Sequence, residues 1–168
     1  MSWTEEVKSQ RLPMEQLVQL VLLQLEQGGV AYLTVTGWSM RPFLRDQKDR
    51  VRLVPVEKLR SGDIILYHRD NGQYVLHRIL RQLGQGGYLC CGDNQWETEV
   101  IEDRQILAVV TEIFRDGKEY SVRHLGYRFC VWLWTALHPI RRPILAVRRR
   151  LGRWKTARQR RKMQKNSL

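Results

Sequence analysis

From Pro13 to Gln27 the apolar residues Leu17, Val18, Val21, Leu22 and Leu25 recur at helical spacing, and Gly28-Gly29 stops the repeat. Pro13 suits a first helical turn, so a helix packed on the rest of the chain is expected there. From Val30 the period falls to two. Short alternating runs over 31–36, 50–54, 63–67, 73–80, 88–91, 106–114 and 119–122 read as strands. Turn signals separate them at Ser61-Gly62-Asp63, Asp70-Asn71-Gly72, 84–87 and Asp116-Gly117, the last a hairpin signal. Beyond Gly126 the helical period returns over 127–137, rich in aromatics and stopped by Pro139. A second helix is expected over 143–165, where Ile144, Val147, Leu151 and Trp154 form a narrow apolar stripe on a cationic cylinder. The pattern therefore predicts a mainly β domain over 30–125, an N-terminal helix within 1–29, and an amphipathic, basic helical tail over 126–168.

Charge divides the chain in the same place. All 17 acidic residues precede position 140, matched by 17 Lys and Arg, while 12 Lys and Arg lie between Arg141 and Lys165. The net charge of +12 belongs to the tail. A neutral domain with a polycationic end points to an anionic surface, phospholipid or nucleic acid, and the aromatics at 129–134 favour lipid or a partner protein over nucleic acid. Cys90, Cys91 and Cys130 are odd in number and form no CxxC, so reduced, buried thiols are expected, with no metal site and no cofactor. The uncharged runs at 16–25 and 129–137 fall far short of the ~20 residues a bilayer span needs, and neither has an export signal's flanks. The expected location is cytoplasmic, peripheral on the inner membrane face.

The chemistry concentrates at Val35-Thr-Gly-Trp-Ser-Met-Arg-Pro-Phe-Leu44. Ser39 follows a flexible Gly37 at a strand end, and Pro42 fixes the chain beyond it. Such a turn can expose the hydroxyl and leave the Ser39 N–H as an oxyanion donor. In the strand Tyr74-Val-Leu-His-Arg-Ile-Leu80, alternation sets His77 on the face of Val75 and Ile79. A histidine alone on an apolar face is more often a satisfied core residue than a base. An imidazole, which can both accept and donate a proton, nonetheless suits taking and returning the Ser39 proton.

Ser39-Met40-x-Pro42, Asp49-Arg-Val51, Gly62-Asp63-Ile-Ile, His77-Arg-Ile and Gly92-Asp93-Asn94 follow in that order. This arrangement resembles the type I signal peptidase superfamily, in the branch of archaea and the endoplasmic reticulum that uses His as base. The resemblance implies the coiled, mostly antiparallel β fold shared with self-cleaving repressors. It implies Ser39 as nucleophile, His77 as general base, and Asp93 as the acid that orients His77, with Glu99 or Glu97 as alternatives. Oxyanion and substrate contacts are expected from Ser39, Thr36, Gly37 and Met40. Asp49 and Asp63 read as fold residues.

The chain departs from that pattern at Gly37, where a Ser often stands, and at Lys48, where a Gly is expected, and the short apolar runs lead to the expectation that the family's membrane anchor is missing. The expected activity is a serine endopeptidase cutting a peptide or leader-like segment, with a peptide substrate, an anionic membrane and export machinery as partners. A non-catalytic peptide-binding module and a self-cleaving regulator are the other two readings. Against the regulator stand the absence of a helix-turn-helix and of a Lys base.

Overall fold

The computed structural model describes residues 14–140. Helix α1 (Met14–Glu26) buries Val18, Val21 and Leu25, the latter two packing with Ala31 and Leu33 of strand β1 (Ala31–Thr34). Each such buried aliphatic side chain is worth about 1.5–3 kcal/mol, which outweighs the weak stability of a helix this short alone. Seven further strands follow: β2 (Arg50–Val54), β3 (Ile64–His68), β4 (Tyr74–Leu83), β5 (Gly87–Cys91), β6 (Glu99–Glu102), β7 (Ile106–Arg115) and β8 (Lys118–Ser121). Helix α2 (Leu125–Ala136) closes the described chain, followed by a 3-10 turn, His138–Ile140.

All pairings are antiparallel, in the order β1-β2-β7-β3-β4-β5-β6, with β8 on β7. The mainly β, antiparallel architecture expected from the alternation is the one observed. Each face of the sheet carries its own apolar cluster. One gathers Val21, Leu25, Leu33, Val35, Met40, Leu44, Leu53, Leu66 and Val110, the other Ile65, Tyr67, Ile79, Cys90 and Ile101.

The structure corrects the sequence reading in four places. The first strand ends at Thr34, because Val35 leaves the ladder to exchange backbone bonds with Asp49 and Gln47. Strand β4 runs three residues further than expected, through a bulge near Ile79–Arg81. Strand β6, four residues with an acid at each end, was not foreseen. Cys130 is exposed, because it lies on the solvent flank of α2, whereas Cys90 and Cys91 are buried as expected. The helix expected over 143–165 lies outside the described residues.

Asp49 and Asp63 sit in turns of the fold. Asp49 is fully buried, and accepts from the Arg45 amide at 2.8 Å and from the guanidinium groups of Arg45 and Arg115. Burial alone would raise its carboxyl, but Arg115 and Arg45 hold it below the usual carboxylate range. Arg115 also donates to the Phe43 carbonyl at 2.7 Å, so this cluster fastens the loop that carries Ser39. The Asp63 carboxylate accepts from the Arg60 amide at 2.8 Å, and its burial pushes the carboxyl upward.

Candidate active site

Strand β4 is held on one edge by β3, from Ile64↔Arg78 to His68↔Tyr74. On its other edge β5 begins only at Arg78↔Cys91. Among the described residues, therefore, no strand pairs the second edge of Tyr74–His77. That open edge borders a cleft of about 490 Å³, floored by Leu33, Val35, Met40, Leu66 and Leu76. Ser39 and His77 both line it, as do Thr36, Gly37, Met40 and Gln95. The structure thus brings together every residue the sequence singled out for nucleophile, base and oxyanion contact.

The Ser39 loop needs glycine at 37, where φ is +93° and an L side chain would be strained. Its N–H donates to Asp46 Oδ1 at 2.9 Å, which engages that amide away from the cleft. The Ser39 carbonyl accepts from the Asn94 amide at 2.6 Å, tying the loop after β5 to the nucleophile's backbone. Gly92 lies at the closest point. A Cβ there would stand 2.8 Å from the Ser39 carbonyl oxygen and 3.0 Å from His77 Nε2. Glycine is required because a Cβ would also meet Gln95 Oε1 at 2.7 Å, and a contact as short as that with the Ser39 carbonyl pushes backbone apart.

His77 is 3% exposed. Its Nδ1 is 3.0 Å from Glu99 Oε1 and 3.0 Å from the Tyr67 hydroxyl oxygen. The Tyr67 hydroxyl in turn donates to Glu99 Oε1. A hydroxyl that gives its proton to Glu99 offers Nδ1 only a lone pair, so both neighbours of Nδ1 are acceptors. That arrangement selects the Nδ1–H tautomer and leaves Nε2, beside Gly92 and the Ser39 backbone, with the free lone pair. Arg69 completes the network with two bonds of 2.7 Å to Glu99. Burial would raise the Glu99 carboxyl, but His77, Arg69 and Tyr67 together hold it well below the usual carboxylate range. Burial, then the Glu99 charge, pushes the Tyr67 hydroxyl far upward, so it stays a donor.

Asp93, the acid expected first for His77, meets a different partner. Its carboxylate takes a two-pronged contact from Arg78, Nε to Oδ1 at 2.8 Å and Nη2 to Oδ2 at 2.7 Å, with both side chains fully buried. Arg78 also donates to the Gly62 carbonyl at 2.7 Å and to the Tyr127 hydroxyl at 3.2 Å, and its guanidinium lies 4.9 Å from the Phe43 ring centre. Desolvation opposes the Arg78 charge, but Asp93 and Tyr127 more than restore it. The physical reason is alternation. His77 and Arg78 are consecutive on β4 and point to opposite faces, so an acid on the Arg78 face cannot serve His77. Glu97 is exposed, and its carbonyl accepts from the Cys91 thiol at 3.1 Å.

Tyr67 and Arg69 escaped the sequence reading. The only signal for either was its place on or just after β3, the strand that pairs with β4, and their convergence on Glu99 depends on a register that composition does not show. Among the described residues no group of three or more His, Cys, Asp and Glu could hold a metal ion, and no helix is long and apolar enough to cross a membrane.

The family model for Peptidase S24-like proteins matches residues 2–114, about two thirds of the chain and all the elements from α1 to nearly the end of β7. No curated protein matches the chain.

Proposed function

The chain belongs to the Peptidase S24-like family, and from that premise we propose that it is a serine endopeptidase with Ser39 as nucleophile, His77 as general base and Glu99 as the carboxylate that orients His77. One observation carries this reading. His77 Nδ1 is satisfied by Glu99 at 3.0 Å, while a Cβ at Gly92 would stand 3.0 Å from His77 Nε2 and 2.8 Å from the Ser39 carbonyl oxygen, so both border Gly92.

In the proposed reaction Ser39 Oγ attacks the scissile carbonyl carbon and its proton passes to His77 Nε2. The Glu99 carboxylate stabilises the imidazolium that forms. The developing oxyanion accepts from the Ser39 N–H, with the Thr36 hydroxyl on the same cleft as a side-chain donor, since the Gly37 amide is engaged by Asp46. As the tetrahedral intermediate collapses, His77 returns the proton to the leaving amine. Water then cleaves the acyl-Ser39 ester by the same steps, with His77 again the base.

The substrate we infer is an extended peptide, a leader-like segment laid along the open edge of Tyr74–His77. There the unpaired backbone of β4 supplies main-chain bonds and the apolar floor of the cleft takes alternate side chains. Asp93 has a structural role in this reading, holding the 92–95 loop against Ser39 through Arg78.

The test is acylation by a fluorophosphonate probe, read by intact mass. The native chain is expected to take one label, and Ser39→Ala and His77→Ala to lose labelling by several orders of magnitude, up to ~10⁶-fold. Labelling that survives both substitutions would end this reading.

A further inference from the structure

Helix α2 is apolar on two sides and covered on one. Its inner side packs on the loops around Phe43, Gly62 and Asp93 through Tyr127, Val131 and Trp134. Val131 is 4% exposed, the Trp134 indole N–H donates to the Asp93 carbonyl at 3.0 Å, and the Tyr127 ring meets Phe43 edge-on at 5.7 Å. The opposite side carries Leu125, Phe129, Trp132 and Leu133 at intervals that keep them on one face. They are 84%, 62%, 64% and 47% exposed, and the Phe129 and Trp132 rings stack at 6.0 Å. Ile140, 51% exposed, extends the apolar surface to the end of the described chain. A helix apolar all round belongs in a core or against an apolar phase, and a continuous exposed aromatic patch marks an interaction surface.

The sequence that follows decides what covers it. The 28 residues after Ile140 contain 12 Lys and Arg and no Asp or Glu. Aromatic and aliphatic side chains on one helix face, continuous in sequence with a dense cationic stretch, match the two layers of an anionic bilayer surface. The rings fit the headgroup–acyl boundary and the cations fit the phosphates. Nucleic acid would satisfy the cations but leave Leu125 and Leu133 in water. We propose that the outward face of α2, together with the basic chain after it, docks on an anionic phospholipid surface. Of the tryptophans in this helix, Trp132 serves that surface, whereas Trp134 is turned inward.

The same helix fixes the cleft. Through Trp134 and Tyr127 it is joined to Asp93 and Phe43, which flank the Ser39 loop, so docking sets the orientation of the cleft to the lipid and does more than tether it. The proposal does not depend on turnover at Ser39.

Flotation of the full chain with phosphatidylcholine vesicles, with and without phosphatidylglycerol, tests it. Binding is expected only with the anionic lipid and weaker in high salt. The double variant Phe129→Ser, Trp132→Ser should lose about a hundred-fold in partition, since two large apolar side chains no longer leave water. The pair Leu125→Ser, Leu133→Ser keeps the ring stack and should lose roughly ten-fold. Unchanged thermal midpoints in both variants separate lost docking from lost folding. Equal flotation with neutral vesicles, full flotation of both double variants, or retention on duplex DNA but not on vesicles would each overturn the proposal.

Discussion

Two consecutive residues of β4 anchor two carboxylates on opposite faces of the sheet, and the two sites have little in common. Arg78 and Asp93 are fully buried, matched in charge and geometry, and every neighbour of the guanidinium is an acceptor or an aromatic ring. Nothing there is left to react. His77 and Glu99 are also hydrogen-bonded, but Glu99 keeps 26% of its side chain exposed and His77 lines an open cleft. A closed pair specifies structure, and a network satisfied at all but one atom can move a proton. A buried acid within a familiar motif is therefore a poor guide to catalysis until its partner is known.

The sharpest way to break this contrast is Glu99→Gln. It should lower the rate by roughly three to four orders of magnitude, because an amide no longer stabilises the imidazolium or fixes its tautomer. The thermal midpoint should move by only a few degrees. Steady-state cleavage or probe-labelling rates, read beside a melt, check both halves. Asp93→Ala should show the reverse. Leaving Arg78 buried and unpaired costs about 3–5 kcal/mol, on the order of 10 °C in midpoint. The rate per folded molecule should fall far less than in Glu99→Gln, as labelling normalised to the folded fraction would show. An Asp93→Ala variant that melts normally but is inert would restore Asp93 as the orienting acid.

A smaller effect is expected from Gly92→Ala, which forces the Ser39 carbonyl and His77 Nε2 apart. A displacement of this kind costs about a hundred-fold in rate, with a modest loss of stability of about 1–3 kcal/mol. Mildest is Tyr67→Phe, on the order of ten-fold, with a signature in pH. The Glu99 carboxyl lies below its ordinary range, so what ionised Glu99 contributes is present above that range and is lost as pH falls through the depressed value. Removing one donor raises that value, and the acid-unfolding midpoint should move to higher pH. An acid-unfolding midpoint at the native position would mean that Tyr67 does not tune Glu99.

How much of this was legible in the sequence follows from what each feature depends on. Ser39 and His77 could be placed on a turn and a strand from local patterns, but their roles were implied only by the ordered motifs that resemble the signal peptidase superfamily. Helix α1 and most strands could be read from local patterns too. Glu99 could be named only as one alternative, because a four-residue strand flanked by acids gives no clear period and the sequence does not show what it pairs with. Tyr67 and Arg69 were invisible, since their contact with Glu99 joins residues about thirty positions apart. Asp93 was favoured because Gly92-Asp93-Asn94 resembles the family's motif, but its glycine is the member that borders His77 Nε2.

The short connection between β3 and β4 has a consequence for how such a site is inherited. Arg69 and Gln73 close it with a 2.8 Å backbone bond, the Gln73 amide donates to Asn71 Oδ1, and Gly72 supplies φ of +85°. Asn71 and Gly72 touch no reacting atom, yet the turn sets the phase of β4. A slip of one residue would carry Arg78 to the cleft and send His77 to the buried face where Asp93 waits. Loop length at this hairpin is thus a spelling rule for the chemistry, and a single inserted codon there could silence the site without altering any residue in it.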